Sequence, residues 1–173
     1  MNNITLRPLN PEDRPWVTRW VTERWGAPQV VSRGVVHQVD ELPGFAATYT
    51  GLQPFICYEI HTGEAVGLVT YRVKGRQCEI VTIDSLAPNL GIGTKLIQAV
   101  KDCARQAGCL RVWLITTNDN TPALRFYQRR GFRLAALHRG AIQLSRSLKP
   151  EIPQSGLNGI PLRDEIELDF WLG

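Results

Sequence analysis

The stretch Asn120-Thr-Pro-Ala-Leu-Arg-Phe-Tyr-Gln-Arg-Arg-Gly-Phe132 decides how the chain is read. Thr121 followed by Pro122 is a helix start, because proline is pre-shaped for the first helical position and its missing N–H is not needed there. The helix is expected to end at Gly131. Upstream, Leu110 to Ile115 is short and almost unbroken in apolar residues, as in a strand covered on both faces. Downstream, Phe132 to Leu137 reads as the next strand.

Working outward, Ile80-Val-Thr-Ile-Asp-Ser-Leu86 runs into Ala87-Pro-Asn-Leu-Gly-Ile-Gly-Thr94. Leu96, Ile97, Val100, Cys103, Ala104 and Ala107 then recur at helical spacing, with Lys95, Gln98, Lys101, Asp102 and Arg105 on the opposite face and Gly108 as a C-cap. The first turn of a helix exposes unpaired N–H groups and the positive end of its dipole. Main-chain donors from Leu90 to Thr94, with Gly91, Ile92 and Gly93 between them, therefore suit a pyrophosphate. The alternative is a tight strand-to-helix turn packed on the sheet. A P-loop is excluded because the GK[ST] signature is missing, and Leu96 stands where a dinucleotide fingerprint has its third glycine.

The first half reads as an antiparallel meander. Ile4 to Arg7 alternates as a first strand, and Asn10-Pro-Glu-Asp13 opens a helix. Trp16, Val17, Trp20, Val21 and Trp25 give that helix its core face, and Gly26 ends it. Residues 30–36 and 54–60 read as strands, with loops at Pro43-Gly44-Phe45 and Thr50-Gly51. His61 to Glu64 is a tight turn, Ala65 to Val73 the returning strand, and Cys78 to Leu86 the next, after the turn Lys74-Gly75-Arg76. Near the end, Ala141 to Leu148 is a short helix and 150–161 a loop. Ile166, Leu168 and Phe170 alternate with acidic residues as a last strand.

At 173 residues this is one domain, spanning 1–173. A net charge of +4 is mild, and acidic residues are scattered throughout, so no nucleic-acid partner is expected. Arg125, Arg129, Arg130 and Arg133 suit an anion but read first as a solvated helix face. Cys57, Cys78, Cys103 and Cys109 have no metal-ligand spacing, and no metal is expected. The start of the chain lacks the pattern of a signal peptide and no apolar run is long enough for a membrane span. No membrane partner and a cytoplasmic location follow as expectations.

Taken together, Asn120, Ala123, Tyr127, Gly131 and Phe132, with the Gly-Ile-Gly turn ahead of them, resemble the GNAT superfamily of acyl-CoA-dependent N-acetyltransferases. The stretch Asn158 to Leu168 also looks like one bacterial branch of that superfamily. Pro88 is a departure: it stands where the family usually has Arg or Gln, and Asn89 and Leu90 replace the usual Gly and basic residue. The resemblance implies a mixed α/β fold, a mostly antiparallel twisted sheet of about seven strands flanked by helices and splayed at a cofactor cleft. It implies acetyl-CoA as cosubstrate, with a turn that has lost its guanidinium contact.

Residue by residue, the resemblance places the pantetheine arm along Leu86 and Ala87, with the Leu86 N–H polarising the thioester carbonyl. Asn120 would bond a pantetheine amide, or else be a turn residue, and Asn118 shares that ambiguity. Tyr127 is the candidate acid for the departing thiolate, with Ala123 leaving room for the sulfur. The other reading of Tyr127 is a core tyrosine. Asp84 is the favoured base, with Glu79 on the opposite face of the strand by strict alternation; a water chain is a third option. Arg33, His37, Glu41 and the 150–161 loop are candidates for the acceptor side. The implied activity is acetyl transfer to a primary amine of a small molecule or peptide, the alternative being a non-catalytic acyl-CoA-binding module. The last strand, Ile166 to Trp171, is a candidate edge for a homodimer.

Overall fold

The computed structural model describes residues 4–49 and 65–173. The strand expected at 54–60 and the turn before it lie outside the described residues. Among the described residues, four α-helices, α1 (Arg14–Trp25), α2 (Ile92–Gln106), α3 (Thr121–Gln128) and α4 (Ala141–Leu148), accompany nine strands. These are β1 (Ile4–Pro8), β2 (Gln29–Ser32), β3 (Val35–Gln38), β4 (Gly44–Tyr49), β5 (Ala65–Lys74), β6 (Gln77–Ser85), β7 (Arg111–Thr117), β8 (Arg133–His138) and β9 (Glu165–Trp171). Seven form one sheet in the order β1-β4-β5-β6-β7-β9-β8, while β2 and β3 make a separate hairpin. All pairs in the sheet are antiparallel except β6 with β7.

The sheet has a different helix on each face. α2 buries Ile92, Leu96, Ile97 and Val100 in one cluster with Val69, Cys78, Ile80 and Leu114. Val17 and Val21 of α1 pack with Leu68 and Val39 on the other face. Burying such side chains stabilises by roughly 1.5–3 kcal/mol each, an upper figure for an extended reference chain. α1 is entered through a single turn, Pro11–Asp13. Asn10 caps that turn, and Asp13 answers with its own carboxylate on the Asn10 N–H.

Several expectations change here. β4 begins inside the Pro43-Gly44-Phe45 stretch that the sequence marks as a loop and runs on to Tyr49. Gly44 permits it, since a Cβ there would fall 2.1 Å from the Val69 carbonyl oxygen. The 30–36 strand is a hairpin that turns at Arg33 and Gly34, both at positive φ. Of the expected α1 core face, Val17 and Val21 are buried and Trp16 and Trp20 pack partly buried against them, while Trp25 is 37% exposed. Lys101 is buried, its ammonium 3.3 Å from the Phe170 ring centroid and donating to the Arg130 carbonyl. Burial brings its pKa down to about 8. Finally, β9 is not an edge. It is paired on both sides, by β7 and β8, so among the described residues the sheet ends at β1 and β8.

Candidate functional site

The site begins with a fork. β6 and β7 pair only from Gln77–Ile80 against Arg111–Leu114. Beyond that, β6 continues along β5, and β7 along β9. At the branch point Thr70 faces Thr82 and Tyr71 faces Ile80, leaving Val81 without a partner. Such a β-bulge adds local twist and bends its strand, which turns β6 away from β7.

The bulge also resets side-chain parity. Strict alternation predicts Glu79 and Asp84 on opposite faces; with one extra residue between them they share the α1 face. The Glu79 carboxylate accepts from Ser32 Oγ at 2.7 Å. Asp84 accepts from Trp20 Nε1 at 3.0 Å and is paired with Arg24 Nε at 2.6 Å. Asp84 is thus committed to α1. Glu79 is nearly buried, with His37 Nε2 3.7 Å from Oε1, and burial pushes its pKa up. His37 is buried too, its Nε2 lacking a hydrogen-bond partner among the described residues, and its pKa is lowered by desolvation.

Backbone pairing decides which groups of β6 face the fork. The Leu86 N–H donates to the Val66 carbonyl at 2.9 Å. Leu86 is therefore turned toward β5, and the expected role of its N–H on a thioester is not available. The reason is that the β5–β6 ladder extends one residue past Ser85. Alternation along the ladder instead turns the N–H and C=O groups of Ile83 and Ser85 toward the open side. Ala87 is buried, and its N–H is taken by Ser85 Oγ at 3.2 Å.

At the mouth of the fork the chain turns through Asn89 and Gly91, with φ of 67° and 82°, into α2. The first helical bond is from the Lys95 N–H to the Gly91 carbonyl, so the N–H groups of Ile92, Gly93 and Thr94 have no partner within the helix. The two glycines differ in purpose. Gly91 meets nothing and serves the left-handed turn; a Cβ at Gly93 would come 2.8 Å from the Phe126 ring. α3 therefore packs closely on the start of α2. The Arg130 guanidinium lies 3.6 Å from the Phe126 centroid and bonds Thr94 Oγ1. A guanidinium thus stands at this turn after all, from the turn that follows α3 rather than from the position of Pro88. Its place in a basic run hides this role in the sequence.

α3 forms the opposite wall. Asn120 caps the helix, its Oδ1 accepting from the Ala123 N–H at 3.2 Å. Asn118 is a structural staple: it donates to the Pro161 carbonyl and accepts from the Arg163 and Asp164 N–H groups. Tyr127 packs edge-on against Phe126 and Phe132, with centroids 5.2 and 5.8 Å away. Burial pushes its phenol well above the usual range, so it stays protonated at neutral pH.

Asn120, Ala123 and Tyr127 share a cleft of about 670 Å³ with Val81, Thr82 and Ile83 of the fork. The cleft continues through the sheet to the α1 face, where Trp25, Ser32, Ser145, Glu165 and the 151–157 segment line it. The expected loop is therefore present, whereas Arg33, His37 and Glu41 do not line this cleft. Arg33 turns its guanidinium to Glu167.

The site thus combines a strand pair forked at a bulge, whose open edge leaves backbone donors and acceptors available, with a helix N-terminus at its mouth. Residues 17–132 match the family model described as the acetyltransferase (GNAT) family. The chain belongs to the GNAT acetyltransferase family. It is 42% identical to the uncharacterized protein YdhI of Bacillus subtilis, over 94% of this chain and 95% of that one. An IAA acetyltransferase from Bacillus cereus has the same fold, with a TM-score of 0.69 at 19% identity over 97% and 99% of the two chains. So does a GNAT family acetyltransferase from Elizabethkingia anophelis with acetyl-CoA bound, with a TM-score of 0.66 at 20% identity and 99% coverage of both. Among the described residues, no helix is long and apolar enough to cross a membrane.

Proposed function

We propose that this GNAT protein transfers acetyl from acetyl-CoA directly to a primary amine. One observation carries the reading: the forked β6–β7 edge opens onto a cleft that holds Tyr127, Ala123 and Asn120 on its far wall. The free groups of Ile83 and Ser85 would pair with the amides of the pantetheine arm as an added strand. The N–H groups of Ile92 to Thr94 and the Arg130 guanidinium would hold the pyrophosphate.

The amine nitrogen then attacks the acetyl carbon from the α1 face. A C–N bond forms, the C–S bond breaks, and the electron pair leaves on sulfur. Tyr127 supplies the proton to that sulfur and is itself restored from water. The amine proton leaves through Ser32 to Glu79, the carboxylate not held by a cation of α1. Cys78 and Cys109 have thiols pushed up by burial, the reverse of what an acyl-carrying nucleophile needs.

Calorimetric titration with acetyl-CoA, followed by turnover against an amine panel, tests this. Micromolar binding and amine-dependent release of CoA thiol are expected. Absence of binding at high protein concentration would sink the reading.

A further inference from the structure

The cleft on the α1 face has an unbalanced charge. Its two buried carboxyl groups, Glu165 and Asp119, are 1% and 5% exposed. Glu165 accepts only from Ser145 Oγ at 3.1 Å and the Arg33 backbone N–H at 3.1 Å. Asp119 accepts from the Thr117 hydroxyl and the Leu157 N–H. All four donors are neutral, and among the described residues neither carboxyl has an ion-pair partner. A buried carboxylate without a cation keeps an unmet demand for positive charge.

Two cations line the cleft, and among the described residues only Arg24 is ion-paired, which leaves Lys149 as one cation against the three carboxyl groups Glu165, Asp119 and Glu151. Lys149 Nζ donates to the Trp25 and Gln29 carbonyls at 2.8 and 2.9 Å, and desolvation lowers its pKa. Arg24 is paired with Asp84. Around these groups the walls are apolar, with Val30, Ile115, Ile142 and Leu162 among them. The remaining carboxylate of the lining, Glu151, is exposed and adds the same sign.

Resting on the acetyl-transfer reading, we propose that the acceptor is a small amine with an uncharged, apolar body, and that Glu165 recognises its ammonium group. An acceptor with a carboxylate beside the amine meets Glu165 and Asp119 with like charge and is turned away. Glu165 acts in binding; the ammonium gives its first proton to bulk water, which frees the lone pair for attack, and the second leaves after attack through Ser32 and Glu79.

Phenethylamine and phenylalanine test this directly, since they differ only by the α-carboxylate. The wild-type protein is expected to favour phenethylamine in kcat/KM by at least about 100-fold. Glu165→Gln should raise KM for phenethylamine by about 10-fold or more and narrow the gap, with KM for acetyl-CoA unchanged. If that variant does not fold, Leu157→Lys serves instead. Leu157 is 47% exposed on the cleft rim, and a lysine there should raise KM for phenethylamine by competing for Asp119 and Glu165. Equal or better use of phenylalanine overturns the inference, as does a gap that neither variant moves. Failure with both amines overturns it as well. Acetyl-CoA titration of the same sample then tells whether the transfer reading falls with it.

Discussion

The Arg130 guanidinium closes on the Thr94 hydroxyl through Nη2 at 2.7 Å and Nε at 2.9 Å, joining the end of α3 to the first turn of α2. A third bond, to the Phe126 carbonyl at 2.8 Å, fixes its plane. Guanidinium has five N–H donors, so some stay free beside the unpaired N–H groups of α2. Arg130→Ala is expected to weaken acetyl-CoA binding by about 10–100-fold, as loss of a charge-assisted phosphate contact does. S-acetylpantetheine has no phosphates, so its KM should not move. An equal loss for both compounds would make Arg130 a helix staple only.

Tyr127 gives a second separation. Its ring is positioned by Phe126 and Phe132, and phenylalanine keeps that packing. Tyr127→Phe should bind acetyl-CoA as the wild type does, while kcat falls by about 10²–10⁴, the usual range for a lost acid. Unchanged turnover would return Tyr127 to the core.

Glu79 and Asp84 divide along the same strand. Glu79 has a raised pKa through burial, and a base must be deprotonated to act. The rate should therefore rise with pH through a limb lying above the ordinary carboxylate value of 4.5. Glu79→Gln should abolish that limb and reduce kcat by about 100-fold. The stability sign runs the other way. A raised folded pKa means the native state holds the proton more tightly, so Glu79 costs stability as pH climbs past 4.5, and the glutamine variant should melt higher at neutral pH. Asp84→Asn should instead keep the limb and melt lower, because it breaks the tie to Arg24 and Trp20. An unaltered limb in Glu79→Gln would move the base elsewhere.

The fold was legible where periodicity was long or chemistry local. Leu96, Ile97 and Val100 marked α2, Pro122 and Gly131 bounded α3, and the Asn120 to Phe132 spacing led to the family. β4 was hidden because Gly44, Ala46 and Ala47 carry weak strand preference and are placed by close packing on β5. The shared face of Glu79 and Asp84 could not be read, since a bulge at Val81 depends on pairing with Thr70 and Tyr71. Arg130 was legible only as one of four arginines in a basic run, and Glu165 was out of reach. One meets its partner 36 positions away, and the other is defined by Ser145 and the Arg33 backbone, contacts that exist only after folding.

Asp13 provides a test of the scaffold that leaves the cleft alone. Its carboxylate takes two bonds from Arg7 at 2.6 and 2.7 Å, one from Trp16 Nε1 at 2.6 Å and one from the Asn10 N–H. The Arg7 bonds foremost hold its pKa well below the ordinary 3.8. For a depressed pKa the stabilisation is complete above 3.8 and disappears as pH falls toward the folded value. Asp13→Ala removes the carboxylate half of the capping box that precedes α1 and leaves the half-buried Trp16 N–H without its acceptor, a cost of about 2 kcal/mol. In a chain of this length that lowers Tm by about 4–8 °C near neutral pH. The difference from wild type should shrink steadily below pH 3.8, as the native carboxylate takes up its proton. A Tm difference that is the same at neutral and strongly acidic pH would show that helix capping geometry, rather than the Asp13 charge, anchors α1.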